Sequence, residues 1–356
     1  HEVVFPSFIF VLTDAANLPV NILTIDAGTT NTRTLLWRAG AVVAQAQLET
    51  GVRNTAIDGH NGALKQALRD TIASVLASAG IAPSEVDLAL ASGMISSPMG
   101  VQEVPHVPAP AGLAQLAQGM QAVDLPDVLA QPLWLIPGVR NQHGAVGLHN
   151  VEAMDMMRGE ETEVVALLER LQLRGAATLI MPGSHTKLIS VDEQRRILGC
   201  STTIAGELLQ AITQHTLIKQ SVDGGFAQTL VPKMLLAGAA AAQKTGLARA
   251  CFSVRTLGQF SAVECNERAN FLMGAVLSGD LLALRNSTAI QMRPDSPLVI
   301  TGKPMLRQAL GLLIEEHGFF YGKRIIVDDQ QQANLAGHGA LLIAAARGLI
   351  SRQETV

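Results

Sequence analysis

Two short stretches carry residues whose types and spacing suit phosphate chemistry. The first holds Asp26, Gly28, Thr29, Thr30 and Arg33; the second holds Gly183, Ser184, His185, Thr186 and Lys187. A tight turn of glycine and small hydroxyl residues offers backbone N–H groups and hydroxyls to an anion. Asp26 stands beside the first turn. A carboxylate there suits Mg2+, which takes oxygen ligands and favours carboxylate plus phosphate. Arg33 or Lys187 could neutralise transferred charge, or could point to solvent from a strand. His185 could bond phosphate or be a plain turn histidine. The competing reading of either stretch is an ordinary hairpin.

The elements around these turns have the same order. Ile22–Ile25 is a β-branched apolar run, and Thr32–Trp37 follows the turn as a second strand. In the second stretch Thr178–Met181 leads into the turn and Lys187–Val191 leaves it. Two similar hairpins suggest a duplicated domain whose copies hold a nucleotide across a cleft. After the first pair come strand Val42–Leu48, an amphipathic helix from Leu64 to Ala79 closed by Gly80, and strand Val86–Ala91 ending in Ser92-Gly93-Met94. A proline-rich loop, Pro98 to Pro110, reads as functional because of its length. Leu133–Ile136 closes a βββαβαβ unit.

Residues 139–151 read as a polar linker, with His143 and His149 as loop histidines. Met156–Leu171 reads as a helix capped by Asp155. Ile197–Thr202 completes a second strand triplet, and helix Glu207–Leu217 follows. The remaining elements read as an alanine-rich helical insertion over 221–260, helix Glu264–Leu284, strand Leu298–Thr301, helix Met305–Glu316, strand Ile325–Val327 and helix Asn334–Leu349. The expected domains are 21–138 and 139–356, with a C-terminal helix able to cross back to the first. Residues 1–20 read as an upstream or cloning-derived leader.

The whole-chain numbers exclude several classes. The 356 residues suit two domains, and 48% hydrophobic with 16% charged residues gives enough material for a core. A net charge of −4 without a basic run argues against nucleic acid. Cys200, Cys251 and Cys265 form no CxxC pair, which fits a reducing cytoplasm. No run is long enough to span a bilayer. Neither a P-loop nor a dinucleotide glycine motif is present.

Two βββαβαβ halves with glycine-hydroxyl hairpins resemble the sugar kinase, Hsp70 and actin superfamily. More narrowly, the chain resembles the 2-dehydro-3-deoxygalactonokinase family. The resemblance rests on Ile25–Arg33, Ser92–Ile95, Ile136–Gly138, Met157-Arg-Gly-Glu-Glu-Thr162, Met181-Pro-Gly-Ser-His-Thr-Lys187, Ala205–Leu208, Phe271–Gly274 and Ile300–Leu306. It departs from the family at Val101 and His106, where aromatic residues are usual, and this bears on sugar specificity.

The resemblance implies an α/β fold of two ribonuclease H-like domains around a nucleotide cleft, the actin-like ATPase fold. It implies an ATP- and Mg2+-dependent kinase acting on the 6-hydroxyl of 2-dehydro-3-deoxy-D-galactonate in galactonate catabolism. The alternatives are a kinase for another sugar or sugar acid, or a non-catalytic ATP-binding regulator. By chain order Asp155 is the expected general base, with Glu160 and Glu161 as rivals; a plain helix cap is the other reading of Asp155. Asp26 would serve catalysis and the metal. Gly28, Thr29, Thr30, Arg33 and Gly183 to Lys187 would hold phosphates, and Gly302 with Lys303 the adenosine. Arg158 is the candidate for a sugar-acid carboxylate, with Glu160, Glu161, Gly93 and Met94 also against substrate. The expected partners are the sugar acid and ATP, with no nucleic acid and no membrane, and a homodimer as the candidate assembly.

Overall fold

A computed structural model describes residues 8–12, 20–142 and 144–354. His143 and most of the expected leader lie outside the described residues. The leader's Phe8–Leu12 (β1) pairs antiparallel with Ile350–Glu354 (β16).

The chain divides into two compact units. Unit 1 comprises residues 1–140, 156–174 and 333–356; unit 2 comprises 141–155 and 175–332. The division is therefore interleaved rather than a single break near 138. Residues 156–174 and the C-terminal helix belong with the first unit because they bury their apolar faces there.

Unit 1 is built on β2 (Asn21–Ala27), β3 (Thr32–Arg38), β4 (Ala41–Leu48), β5 (Leu88–Gly93), and the short β6 (Val107–Pro108), β7 (Gln121–Val123) and β8 (Leu133–Leu135). Its main sheet has the order β4-β3-β2-β5-β8-β7. The first three strands form an antiparallel meander, and β5 then runs parallel to β2 with Asp26 beside Ser92. Strand β5 is buried throughout, as expected of a parallel strand covered on both faces. The helices here are α1 (Val52–Asp58), α2 (Gly62–Ala79) and α3 (Leu113–Gly119). Helix α2 buries Leu64, Leu68, Ile72, Val75 and Leu76, and stops at Gly80 in the left-handed conformation.

Two further segments complete unit 1. Strands β9 (Val139–Arg140) and β10 (Met156–Met157) pair with each other, and β6 joins β9. Helix α4 runs Glu160–Arg170 from an N-cap at Gly159. The helix expected from Met156 thus starts four residues later, and Asp155 does not cap it. The register of Met156 and Met157 with Arg140 and Val139 holds this stretch extended instead. The C-terminal helix α10 (Leu335–Arg347) is apolar on nearly every face and is buried accordingly. Gly337 is required for its approach: a Cβ there would lie 2.7 Å from Thr24 Oγ1 and 2.9 Å from the Trp37 ring.

Unit 2 repeats the plan. Its strands are β11 (Ala177–Met181), β12 (Thr186–Val191), β13 (Ile197–Thr203), β14 (Leu298–Ile300) and β15 (Arg324–Ile326). Their order is β13-β12-β11-β14-β15, strand for strand that of β4-β3-β2-β5-β8. Both units therefore carry the ribonuclease H-like topology. The helices are α5 (Ala205–His215), α6 (Pro232–Thr245), α7 (Leu247–Phe260), α8 (Cys265–Asn286) and α9 (Pro304–His317). The alanine-rich stretch is resolved into α6 and α7, which pack with α8. The crossing of α6 and α8 is close because each brings a glycine to it. A Cβ on Gly238 would lie 1.9 Å from the Phe271 carbonyl, and one on Gly274 1.9 Å from that of Leu235.

Candidate functional site

The glycine-hydroxyl turns lie at equivalent places in the two units, each backed by a helix start. In unit 1 the Gly28 N–H closes the turn onto the Asn31 carbonyl at 2.8 Å, while Thr29 and Thr30 are exposed. The first residues of α1 reach the turn from behind. Val52 and Arg53 N–H donate to the carbonyls of Gly28 and Thr29 at 3.2 and 2.9 Å. In unit 2 the Glu207 N–H, from the first turn of α5, donates to the Ser184 carbonyl at 2.9 Å. Gly51 and Gly206 permit this. A Cβ on either would lie 2.4 and 2.0 Å from the carbonyls of Gly28 and Gly183. Gly206 lies within the Ala205–Leu208 stretch quoted above, whereas Gly51 escapes a motif search because its partner is remote in sequence.

A second equivalence lies at the ends of the parallel strands. Gly93 ends β5 with φ +86, and a Cβ there would lie 2.7 Å from the Ala27 carbonyl. Gly302 follows β14 with φ +93, and a Cβ there would lie 2.9 Å from the Pro182 carbonyl. Positive φ and close backbone approach both call for glycine. Carboxyl ends of parallel strands are where open α/β sheets bind ligands. The Gln332 side chain brackets the Gly302 peptide, accepting from its N–H at 3.0 Å and donating to its carbonyl at 3.1 Å. Lys303 is exposed and caps α9.

In unit 1 the start of α4 meets the end of β5. Gly159, with φ +116, would place a Cβ 3.2 Å from Gly93 Cα. Acidic side chains follow at once. Glu161 is fully buried, and both its carboxylate oxygens accept from the Gly159 N–H, at 2.9 and 2.8 Å. Burial first, then the neighbouring Glu160 charge, pushes its pKa up to about 8. Glu160, the first residue of α4, is partly exposed and accepts from the Arg158 N–H at 3.2 Å. Glu163 shares the region, and burial with the Asp26 and Glu160 charges raises it to about 8. Asp26, at the end of β2, is raised to about 6 by burial, against the pull of Arg33. Arg33 is opposite it in register and donates to Gln47 at 3.1 Å. Met94 follows Gly93, half-buried.

Three expected roles change with the neighbours that the structure supplies. Arg158 donates through Nη1 to the Ser96 carbonyl and hydroxyl, both at 2.7 Å, and through Nη2 to the Val104 carbonyl at 2.9 Å. Its Nη2 also touches the His106 ring at 3.1 Å. The fork expected for a substrate carboxylate therefore holds the 96–106 loop. Thr186 is buried and donates to Asp280 Oδ2 at 2.9 Å, so it does not present its hydroxyl to phosphate. Asp155 belongs to unit 2, where its carboxylate accepts from the Thr202 N–H at 2.5 Å and from its hydroxyl at 3.0 Å. Lys187 Nζ donates to that same Thr202 hydroxyl at 2.8 Å. Ser184 and His185 are exposed, and His185 Nε2 lies 3.0 Å from Glu207.

Among the described residues no group of three His, Cys, Asp or Glu could hold an ion. Asp26 nevertheless fits Mg2+ carried by a nucleotide, because such sites use one or two carboxylates and complete the shell with phosphate and water.

Comparison with known proteins adds to this geometry. A family model described as 2-keto-3-deoxy-galactonokinase matches residues 26–338. The 2-dehydro-3-deoxygalactonokinase of Escherichia coli is 26% identical over 270 residues, 76% of this chain and 82% of that one. A Rhizobium meliloti protein assigned the same activity is 28% identical over 208 residues, 56% of this chain and 58% of its own length. A crystal structure from Sinorhizobium meliloti, assigned as a 2-dehydro-3-deoxygalactonokinase, superposes with a TM-score of 0.69 at 22% identity, covering 91% of this chain and 98% of that one. At that identity the likeness shows the shared fold. No helix among the described residues is long and apolar enough to cross a membrane.

Proposed function

The chain belongs to the 2-keto-3-deoxy-galactonokinase family, and from that premise we propose that it transfers the γ-phosphoryl group of ATP to the 6-hydroxyl of 2-dehydro-3-deoxy-D-galactonate. The observation carrying this reading is the repeated device of a glycine-hydroxyl turn, a helix start behind it and a strand-end glycine beside it. Unit 1 offers Thr29 and Thr30 to phosphate, with Asp26 to hold Mg2+. Unit 2 offers Gly183, Ser184 and His185 to phosphate, with Gly302 and Lys303 for the adenosine. When bound, Mg2+ would neutralise part of the phosphate charge. Lys187 and Arg33 are the cations nearest these turns in sequence. The pathway expected for such an enzyme is cytoplasmic galactonate catabolism.

Glu160 is the acid we assign to the hydroxyl proton. As the new O–P bond forms and the bond to the ADP oxygen breaks, its carboxylate would take that proton. Glu161 is enclosed and Asp155 is engaged by Thr202, so neither is as open to a substrate.

The sugar specificity has a second reading. His106 touches Arg158 and lies against Gly138, inside the loop network that Arg158 holds. That placement favours a different sugar acid as the best substrate. Coupled ADP release against a panel of sugar acids tests both. The highest kcat/KM with 2-dehydro-3-deoxy-D-galactonate supports the first reading, a higher value with another acid supports the second, and no turnover with any acid overturns both.

A further inference from the structure

Asp280 lies in the interior of α8 and is 1% exposed. A carboxylate in an apolar helix face is costly unless it is hydrogen-bonded. Here its two oxygens take separate partners: Oδ2 accepts from the Thr186 hydroxyl at 2.9 Å, and Oδ1 accepts from the Thr203 hydroxyl in a short bond. These threonines are register partners across β12 and β13.

Their positions matter. Thr186 is the first residue after the exposed Ser184-His185 turn, and Thr203 is the last of β13, just before α5. Helix α5 supplies the N–H that holds the Ser184 carbonyl. Asp280 therefore ties together the return of the turn and the start of the helix behind it. On the opposite face of the same strands, as strand alternation requires, Lys187 meets Thr202, and Thr202 meets Asp155. Of the two anchors, Asp280 is the buried one, and it comes from α8.

We propose that Asp280 is a positioning residue for nucleotide phosphate, acting through Thr186 and Thr203 to fix the Gly183–His185 turn against α5. It touches no substrate. The inference rests on the nucleotide-binding part of the function proposed above. Substitutions in supporting shells of a site commonly reduce affinity about 10–100-fold, and an effect of that size is expected for the nucleotide alone.

The experiment compares wild-type protein with Asp280→Ala, with Thr186→Val combined with Thr203→Val, and with the conservative pair Thr186→Ser and Thr203→Ser. ADP affinity is measured by calorimetry, and KM for ATP and for the sugar acid by coupled assay. The expected result is about a tenfold or greater loss of ADP affinity and a similar rise in KM for ATP in the alanine and valine variants. KM for the sugar acid stays near wild type, and the serine pair behaves as wild type. Unchanged ADP affinity, or an equal loss toward both substrates, overturns the assignment. If Asp280→Ala does not fold, the valine pair decides on the same criteria. Wild-type protein that binds ADP but phosphorylates no sugar acid removes the proposed substrate and leaves this inference to the calorimetry. Wild-type protein that binds no ADP overturns both.

Discussion

Asp155, Glu160 and Glu161 are acids close in sequence, and spacing alone could not rank them as bases. From their neighbours we propose Glu160. Asp155 accepts from Thr202, Glu161 is closed in over the Gly159 N–H, and Glu160 keeps part of its surface open. Glu160→Gln should lower kcat by about two to four orders of magnitude with ADP affinity unchanged, whereas Asp155→Asn should cost less than about tenfold. The reverse ranking in a turnover assay would return the base role to Asp155. Arg158 was legible as a residue of consequence, but its task depends on Ser96 and Val104, far away in sequence. Removing it with Arg158→Ala should destabilise the protein by about 2–3 kcal/mol, because charged hydrogen bonds are lost. Thermal unfolding checks this; an unchanged melting temperature with a raised KM for sugar acid would restore the carboxylate-binding role.

At the scale of elements, most strands and helices could be read from periodicity. Strands β2 and β3 and helix α2 are examples, since their apolar patterns are local. The start of α4 was not legible, because Met156 and Met157 are held extended by strand pairing with Val139 and Arg140. Of the two turn-backing glycines, Gly206 stood inside a recognisable motif but its packing role did not show, and Gly51 was hidden altogether. Gly51→Ala and Gly206→Ala should each weaken ADP binding by about tenfold or more, since the added Cβ must push a helix start off its turn. Wild-type ADP affinity in both would show that the helix starts are dispensable. Gly279 is the contrast: it is exposed within α8 and a Cβ there meets nothing within 4 Å. Gly279→Ala should therefore raise stability, by about 0.5–1 kcal/mol in chemical denaturation.

For the whole molecule, the duplication was legible from two short hairpins, and the matching strand orders of the two units carry it through. The C-terminal helix was read as able to cross back to the first domain, but the return of residues 156–174 was not legible, because it depends on where α4 buries its surface. The near-continuous apolar run of α10 was the available signal for a buried helix. Buried acids also set a global pH response. Glu161 and Glu163 are raised from 4.5 to about 8, and Asp26 and Asp280 from 3.8 to about 6, each chiefly by burial. The native state then binds more protons than the unfolded state over those ranges. Their contribution is greatest at the acid end and is lost as pH rises through the folded pKa. Melting temperature should fall between roughly pH 5 and 8 on this account, and Glu161→Gln should flatten the profile. A wild-type profile that rises toward pH 8 in parallel with that of the variant would exclude Glu161 as the source.

The interleaved connectivity also fixes an order of events during synthesis. The strands of unit 1 up to Arg140 leave the ribosome early, but α10, which lies against Thr24 and Trp37, emerges roughly two hundred residues later. At about 5–20 residues per second, that face of the nascent sheet waits on the order of ten to forty seconds for its cover. Unit 2 is fully translated by Gln332, before that cover exists. The portion of the chain made first is thus the last to be finished, and during that interval it is the natural client for a chaperone.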